Sequence, residues 1–372
     1  MKKHVNLESI SIIDPVGGYG GMDYYDYGLS YGLSTNKLEV LYFSCNSTSY
    51  RDFENVTLYT PFGNIWKVNK FKRGYYFIKG YLNSFIKSKK LNSEVFHFHF
   101  FDLGFLNVIV LVLASFFYQK KVVTLHDLNP FYGRPYSFLE KIAVKLIDGI
   151  IVHNQTSKKE LLKKGLKVHK IAIIPHGNYF PFVSMLPEPK IGKVINLLFF
   201  GQIKEVKGLD ILLKAMKIVV NENTMFKLTI AGKPWKIDSG IYEKMIVNYG
   251  LDNFVERQFH FIEDNEVEFF FQKADVVILP YKQIYQSGVL LLTLSYGRTV
   301  ITSDLKPFKD IITHNINGFI FESENAESLA NCILKLNQEN ILKTTLNSKD
   351  LIKDKFNWSK IGCETIRFKE TV

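Results

Sequence analysis

Cysteine is scarce: 372 residues hold three, Cys45, Cys332 and Cys363, far apart and odd in number. That excludes a disulfide framework and a clustered zinc site and fits a reducing compartment. Proline is also sparse, with 11 residues. With 47% apolar and 22% charged residues the chain can bury a core, which excludes a disordered or fibrous protein. Long apolar runs are missing as well. The longest, residues 105–118, contains Asn107 and Ser115 and falls short of the roughly 20 residues that span a bilayer, so it is expected to be a buried helix. Glu8, Ser9, Ser11 and Asp14 interrupt the basic start before an apolar stretch can form, and no secretory signal is expected.

Negative charge is missing from one segment. No carboxylate occurs between Glu54 and Glu94, while Lys67, Lys70, Lys72, Arg73, Lys79, Lys87, Lys89 and Lys90 alternate with Tyr59, Phe62, Trp66, Phe71, Tyr75, Tyr76, Phe77, Tyr81 and Phe85. Residues 1–186 carry 23 basic against 13 acidic side chains and so hold nearly all of the net charge of +11. Basic residues interleaved with aromatics suit an anionic surface, either lipid headgroups or nucleic acid, although no nucleic-acid recognition motif accompanies them. An ordinary solvated lysine face over an aromatic core stands beside that reading.

What is present is a double series of apolar segments alternating with amphipathic ones, the pattern of parallel sheets covered by helices. Strands are expected at 9–13, 38–44, 95–100, 122–125, 149–153 and 171–175, with helices at 22–34, 105–118, 137–146 and 157–164. A second series has strands at 195–200, 226–231, 257–261, 275–279, 299–302 and 318–321, with helices at 209–220, 241–249, 265–273, 288–296 and 326–336. Between them, residues 179–193 contain Pro181, Pro187 and Pro189 and read as a linker. The expectation is an α/β protein of two doubly wound, Rossmann-like domains facing each other across a cleft. They cover residues 1–183 and 184–356. Open α/β sheets bind ligands beyond the carboxyl ends of their strands, so function is sought in the strand-to-helix loops.

Four loops stand out. Gly17-Gly18-Tyr19-Gly20-Gly21 enters a helix whose first turn is expected to hold Asp23 and Asp26; clustered glycine suits an anion at a helix start, or simply a tight turn. No dinucleotide-binding G-x-G-x-x-G occurs. In Phe96-His97-Phe98-His99-Phe100 the two histidines share one face of a strand. A third metal ligand is not apparent in the sequence, and one of the two histidines is expected to be purely structural. In Gly201-Gln202-Ile203-Lys204-Glu205-Val206-Lys207-Gly208, lysines on a glycine-flanked loop suit phosphate oxygens. Further on, the segment leading to Gln286-Ser287-Gly288-Val289 brings the amides of Ser287, Gly288 and Val289 to a helix start.

The ordered set of GGMD, HFHF, TLHD, IVHN, IPHG, FFGQIKEVKG, LTIAG, ADVVILPY, QSGVLLLTLSYGRTVITSD and NGFIF resembles glycosyltransferase family 4, of GT-B fold, over nearly the whole chain. That resemblance implies a retaining, metal-independent glycosyltransferase with no cofactor, whose last helix, at 357–372, packs back on the first domain. Its donor would be a nucleotide-diphosphate sugar of UDP or GDP type, its acceptor a saccharide or lipid-linked saccharide, in polysaccharide biosynthesis. It places His99 near the transferred sugar, Gly20 and Gly21 over the diphosphate, and Lys207 on the diphosphate. Lys204 stands nearest to the family's arginine, whose position is Gln202 here. Gly201, Gly232, Ile262, Tyr285, Gln286, Ser287, Gly288 and Val289 would contact the donor. The family's paired glutamates fall at Ile284 and Leu292 and are missing. A cytoplasmic location at the inner membrane face, through residues 66–90, follows from the charge pattern. The rival readings are a sugar-nucleotide-binding scaffold without turnover and a nucleotide-sugar 2-epimerase, which would need acids such as Asp127 for proton chemistry.

Overall fold

The computed structural model describes residues 8–18, 21–126, 138–163, 165, 167, 170–284 and 286–372. It divides into two compact units, Met1–Pro181 with Phe356–Val372, and Phe182–Lys355. Among the described residues the first unit runs β1 (Ser9–Ile13), α1 (Met22–Ser34), β2 (Glu39–Phe43), β3 (Val56–Tyr59), α2 (Lys70–Lys90), β4 (Val95–Phe100), α3 (Phe105–Ala114), β5 (Lys120–Leu125), α4 (Phe138–Leu146), β6 (Gly149–Val152), α5 (Gln155–Lys163) and β7 (Ile171–Ile173). The second has β8 (Ile195–Phe200), α6 (Leu209–Glu222), β9 (Phe226–Ala231), α7 (Gly240–Asn248), β10 (Val255–Gln258), α8 (Asp264–Lys273), β11 (Val276–Leu279), α9 (Gly288–Ser295), β12 (Thr299–Ser303), α10 (Lys306–Lys309), β13 (Phe319–Phe321), α11 (Ala326–Leu334) and α12 (Gln338–Asp354). The last helix, α13 (Trp358–Thr371), rejoins the first unit.

Both sheets are parallel, in the orders β3-β2-β1-β4-β5-β6-β7 and β10-β9-β8-β11-β12-β13. Their central strands are apolar on both faces because helices cover both: β1, β4 and β11 are buried at every position. The order reverses between β1 and β4 in one unit and between β8 and β11 in the other. The crevice beyond the strand ends at such a reversal is where doubly wound sheets place ligands.

Helix α13 is seated by one side chain. Trp358 lies so close to Gly28 and Gly32 of α1 and to Gly177 that an added Cβ at any of them would stand 2.1–2.3 Å from its atoms. Its indole Nε1 donates to the carbonyl of Asn178 at 2.6 Å.

Two expectations are corrected here, and one segment gains elements that the pattern did not show. Residues 105–118 are not one buried helix: α3 ends at Ala114 and a 3-10 turn, Ser115–Phe117, follows. Only one face packs, with Val108, Val110, Leu111 and Ala114 buried but Phe105 and Leu106 exposed. The strand expected at 257–261 lies at Val255–Gln258. The basic aromatic segment contains β3 and the 21-residue helix α2, whose buried face is Gly80, Tyr81, Ser84, Phe85 and Ser88.

Candidate active site

In the first unit, parallel strands in spatial order carry a histidine at each carboxyl end. His97 and His99 sit on β4, His126 and His153 directly follow β5 and β6, and His176 follows β7. Because these strands run side by side and in the same direction, the rings form a row. Successive centroids from His97 through His99, His126, His153 and His176 are 4.9, 5.2, 5.2 and 6.2 Å apart. Tyr25 of α1 packs against the row, 4.6 Å from His126 and 5.0–5.3 Å from His99, His153 and His176. Burial holds all five imidazoles below the ordinary histidine range, His99 and His176 down to about 4 and His153 to about 3.

His97 is the structural member. Lys369 of α13, itself fully buried, bonds its Nδ1 at 3.0 Å, and its Nε2 meets Thr124 Oγ1 at 2.7 Å. Burial pushes the Lys369 ammonium well below its usual range. His99 differs. Its Nδ1 is hydrogen-bonded to Asp26 Oδ1, whose other oxygen accepts from Tyr42 at 2.7 Å, while its Nε2 is buried with no hydrogen-bond partner among the described residues. Asp26, expected in the first turn of α1 beside Asp23, lies in the following turn and points into this buried network. Asp14, one residue past β1, completes it: burial and the neighbouring Asp26 push its carboxyl well up. Asp14, Asp26 and His99 offer three ligand atoms within 4.8 Å of one another. Tyr42 donates to one Asp26 oxygen and His99 Nδ1 is hydrogen-bonded to the other, so hydrogen bonding accounts for the cluster.

The glycine loop before α1 is tight: a Cβ at Gly17 would stand 2.6 Å from Cys45 Sγ, and one at Gly18 2.5 Å from the Ser47 carbonyl. Gly21 caps α1 with φ 76. Gly20, Tyr285 and Asp127 lie outside the described residues, as do residues 137 and 164, the ends of two expected helices.

In the second unit the glycine- and lysine-bearing loops converge at the β8/β11 reversal. Gly232 has φ 154, and a Cβ there would lie 2.0 Å from the Gly201 carbonyl. Gly208 has φ 69, and a Cβ there would lie 1.9 Å from the carbonyl of Pro280. Only glycine fits either place, so the turns after β8, β9 and β11 are locked together. A Cβ on Gly201 would meet Val289 at 3.3 Å, which brings the start of α9 to the same spot. Ser287 caps α9 by accepting from the amide of Leu290, while the first amides of a helix have no intrahelical partner. Lys207 ends the turn Glu205–Lys207 with its ammonium 3.6 Å from the ring centroid of the buried Tyr281. Lys204 precedes the same turn, and Ile262 is buried. Gln202 is exposed and Gln286 half-buried. This arrangement combines backbone at close approach, a helix start and lysine charge, which together suit a phosphate-bearing ligand.

Sequence reasoning singled out the loops and His99, and placed Asp26 only at a helix start; it did not single out Asp14, Tyr42 and Lys369 for the site, because their partners are remote in sequence. The recurring strand-end histidine, in TLHD, IVHN and IPHG, was the available signal for the row.

Two family profiles divide the chain between the two units: "Glycosyltransferase Family 4" matches residues 19–177 and "Glycosyl transferases group 1" matches residues 195–339. Among curated relatives, the chain is 23% identical over 266 residues to an uncharacterized 41.2 kDa protein in the cps region of Klebsiella pneumoniae, covering 66% of this chain and 70% of that one. It is 26% identical over 188 residues to a GDP-mannose:glycolipid 4-beta-D-mannosyltransferase of Xanthomonas campestris, covering 48% and 49%, about half the length of each. Its fold is that of Anabaena Alr3699/HepE, solved with UDP and glucose, at TM-score 0.71, 16% identity and coverage of 98% and 100%. Profiles over both units, two parallel α/β sheets and a GT-B neighbour along the full length agree: the chain belongs to the family 4, group 1 glycosyltransferases.

Proposed function

We propose that this glycosyltransferase moves a sugar, with retention at the anomeric carbon, from a UDP- or GDP-type nucleotide-diphosphate sugar to a saccharide or lipid-linked saccharide in cell-surface polysaccharide assembly. The observation that carries the reading is the convergence of Gly201, Gly232, Val289 and Gly208 at one sheet reversal, with Lys207 on the adjoining turn. In the reaction, the bond from the anomeric carbon to the diphosphate oxygen breaks and the acceptor oxygen bonds the same face. The leaving phosphate takes the acceptor hydroxyl's proton. Lys204, Lys207 and the amides at Ser287, Gly288 and Val289 stabilise the charge developing on the phosphate, the dominant kind of catalytic contribution. His99 orients the sugar. Because the phosphate itself accepts the proton, no carboxylate at Ile284 or Leu292 is required as base. The acceptor comes from a membrane in this reading. Helix α2 leaves Phe71 and Tyr75 exposed and carries three lysines in its last turn, and among the described residues no helix is long and apolar enough to cross a membrane. The names of the Xanthomonas relative, which acts on a glycolipid, and of the HepE complexes support the substrate classes. A panel of UDP- and GDP-sugars, each assayed for release of nucleotide diphosphate with and without saccharide acceptors, tests the proposal. Turnover that depends on Lys207 supports it, and binding without turnover on any donor overturns it.

A further inference from the structure

Two lysines meet the chain just after β11, and the fold gives them different partners. Lys282 pairs with Asp210 at 3.0 Å, so its charge is neutralised. Lys207 has no carboxylate partner among the described residues; its ammonium stands 3.6 Å from the centroid of the Tyr281 ring. An aromatic face attracts a cation through its quadrupole and leaves the net charge in place. An ammonium carries three donors, so contact with a ring on one side leaves N–H groups for phosphate oxygens on the other.

The ring and the turn that carries the lysine are each fixed. Tyr281 is buried against Phe308 of α10, with ring centroids 5.4 Å apart, and its carbonyl accepts from Ser303 Oγ of β12 at 2.7 Å. The turn Glu205–Lys207 is tied to the same segment at two points: the amide of Lys282 donates to the carbonyl of Val206 at 2.9 Å, and Gly208 closes on the carbonyl of Pro280. The phenol oxygen takes no part, since Tyr281 Oη is buried with no hydrogen-bond partner among the described residues. The ring face is therefore what Lys207 uses. A free lysine loses rotamer freedom when it grips an anion, and one already docked on a ring has lost much of it beforehand.

We propose that Tyr281 is the positioning residue of Lys207: its ring face holds the ammonium beside the locked turn, ordered and unneutralised, for a diphosphate. The inference rests on the proposed function for the diphosphate, while the contact itself stands on the geometry.

Side-chain spectra of the full chain labelled with 13C,15N-lysine, assigned with Lys207→Met, test the contact. The ring current should move the Lys207 ε-methylene protons upfield in the free protein, and the shift should persist in Tyr281→Phe and vanish in Tyr281→Leu. A wild-type Lys207 signal at the ordinary lysine position overturns the proposal. A double-mutant cycle on the Kd of UDP and of GDP, measured by calorimetry, separates positioning from packing. Tyr281→Leu should weaken whichever nucleotide binds by about 2- to 12-fold, the cost of ordering one long side chain expressed as a ratio. Tyr281→Phe should bind as wild type does, and in the Lys207→Met background Tyr281→Leu should weaken binding no further. Equal losses with and without Lys207 make Tyr281 a packing residue and overturn the proposal, as does a leucine variant that binds at full strength. Tyr281→Met, with its flexible thioether, replaces the leucine variant if that one does not fold. Binding of neither nucleotide, or binding indifferent to Lys207→Met, refutes the phosphate reading of Lys207 whatever the spectra show. Binding that needs Lys207 but shows no coupling to Tyr281 refutes the positioning alone.

Discussion

Replacing Lys207 with methionine removes the charge and keeps the stem. The ammonium stands 3.6 Å from the Tyr281 ring centroid, on a turn locked by Gly208 against Pro280. A charge-assisted hydrogen bond to phosphate is worth about 1.5–3 kcal/mol, and its loss from the transition state lowers kcat/KM by about 10- to 150-fold. The folded state loses much less. A cation over an aromatic face contributes about 0.5–1 kcal/mol at partly exposed sites, and the thioether of methionine packs on the same ring. Tm should therefore fall by no more than about 2–4 °C. The measurement is steady-state release of nucleotide diphosphate by wild type and Lys207→Met, with melting curves on the same preparations. Lys207→Arg keeps the charge and should retain more activity than the methionine variant. A methionine variant with unchanged kcat/KM removes Lys207 from the phosphate site. A collapse of Tm with activity preserved per folded molecule makes it a structural residue of the turn.

Leu292→Glu should leave the protein folded and tighten donor binding, because Leu292 is only half-buried on α9; a large drop in Tm without donor protection would show that a carboxylate cannot be accommodated there. Acidification should destabilise the first unit. Its histidines are depressed in the fold, so the unfolded chain binds more protons below pH 6.5, and stability present above 6.5 is lost as pH falls toward about 4. Each histidine contributes about 1.4 kcal/mol per pH unit, and the raised carboxyls of Asp14 and Asp26 oppose this as they take up protons; a Tm that is level or rising from pH 7 to pH 5 refutes it. Binding to liposomes should rise with anionic lipid and fall with salt, since each lysine near such a surface adds about 1 kcal/mol. Neutralising Lys87, Lys89 and Lys90 should weaken it, and indifference to all three variables removes α2 from the membrane.

How much of this could be read from the sequence depended on where each residue's partners lie. Strands β1, β4, β8 and β9 and helix α1 match their expected limits: the strands are short, apolar-rich runs, and the helix opens directly after a glycine loop. Helix α12 gave no apolar period: its buried face includes Thr344, Thr345 and Ser348, and the two threonines hydrogen-bond to Thr299 at 2.9 and 2.8 Å. Helix α2 was hidden for the opposite reason. Exposed Phe71 and Tyr75 sit on the same helix as the buried Tyr81 and Phe85, so aromatics mark both faces and the 3.6-residue period is lost. The aromatic segment was thus partly core and partly surface, and Trp66, counted with the anchors, donates its indole hydrogen to the Pro15 carbonyl.

The site shows the same division more sharply. In each unit the candidate residues lie where the sheet reverses: His99 beside Asp14 between β4 and β1 of the first, and Gly208 against Pro280 between β8 and β11 of the second. The sequence marks strand ends but not strand neighbours, so it offers the loops without saying which of them meet. Asp26 reads as a helix-start acid, Asp14 only as a break in an apolar stretch, and nothing in the sequence singles out Lys369. Each becomes a buried group bearing on the histidines only once β4 is laid beside β1 and α13 is returned to the first unit. Titratable groups that the chain scatters between residues 14 and 369 share one enclosure, so the protonation states that define the site belong to the fold and not to any local motif.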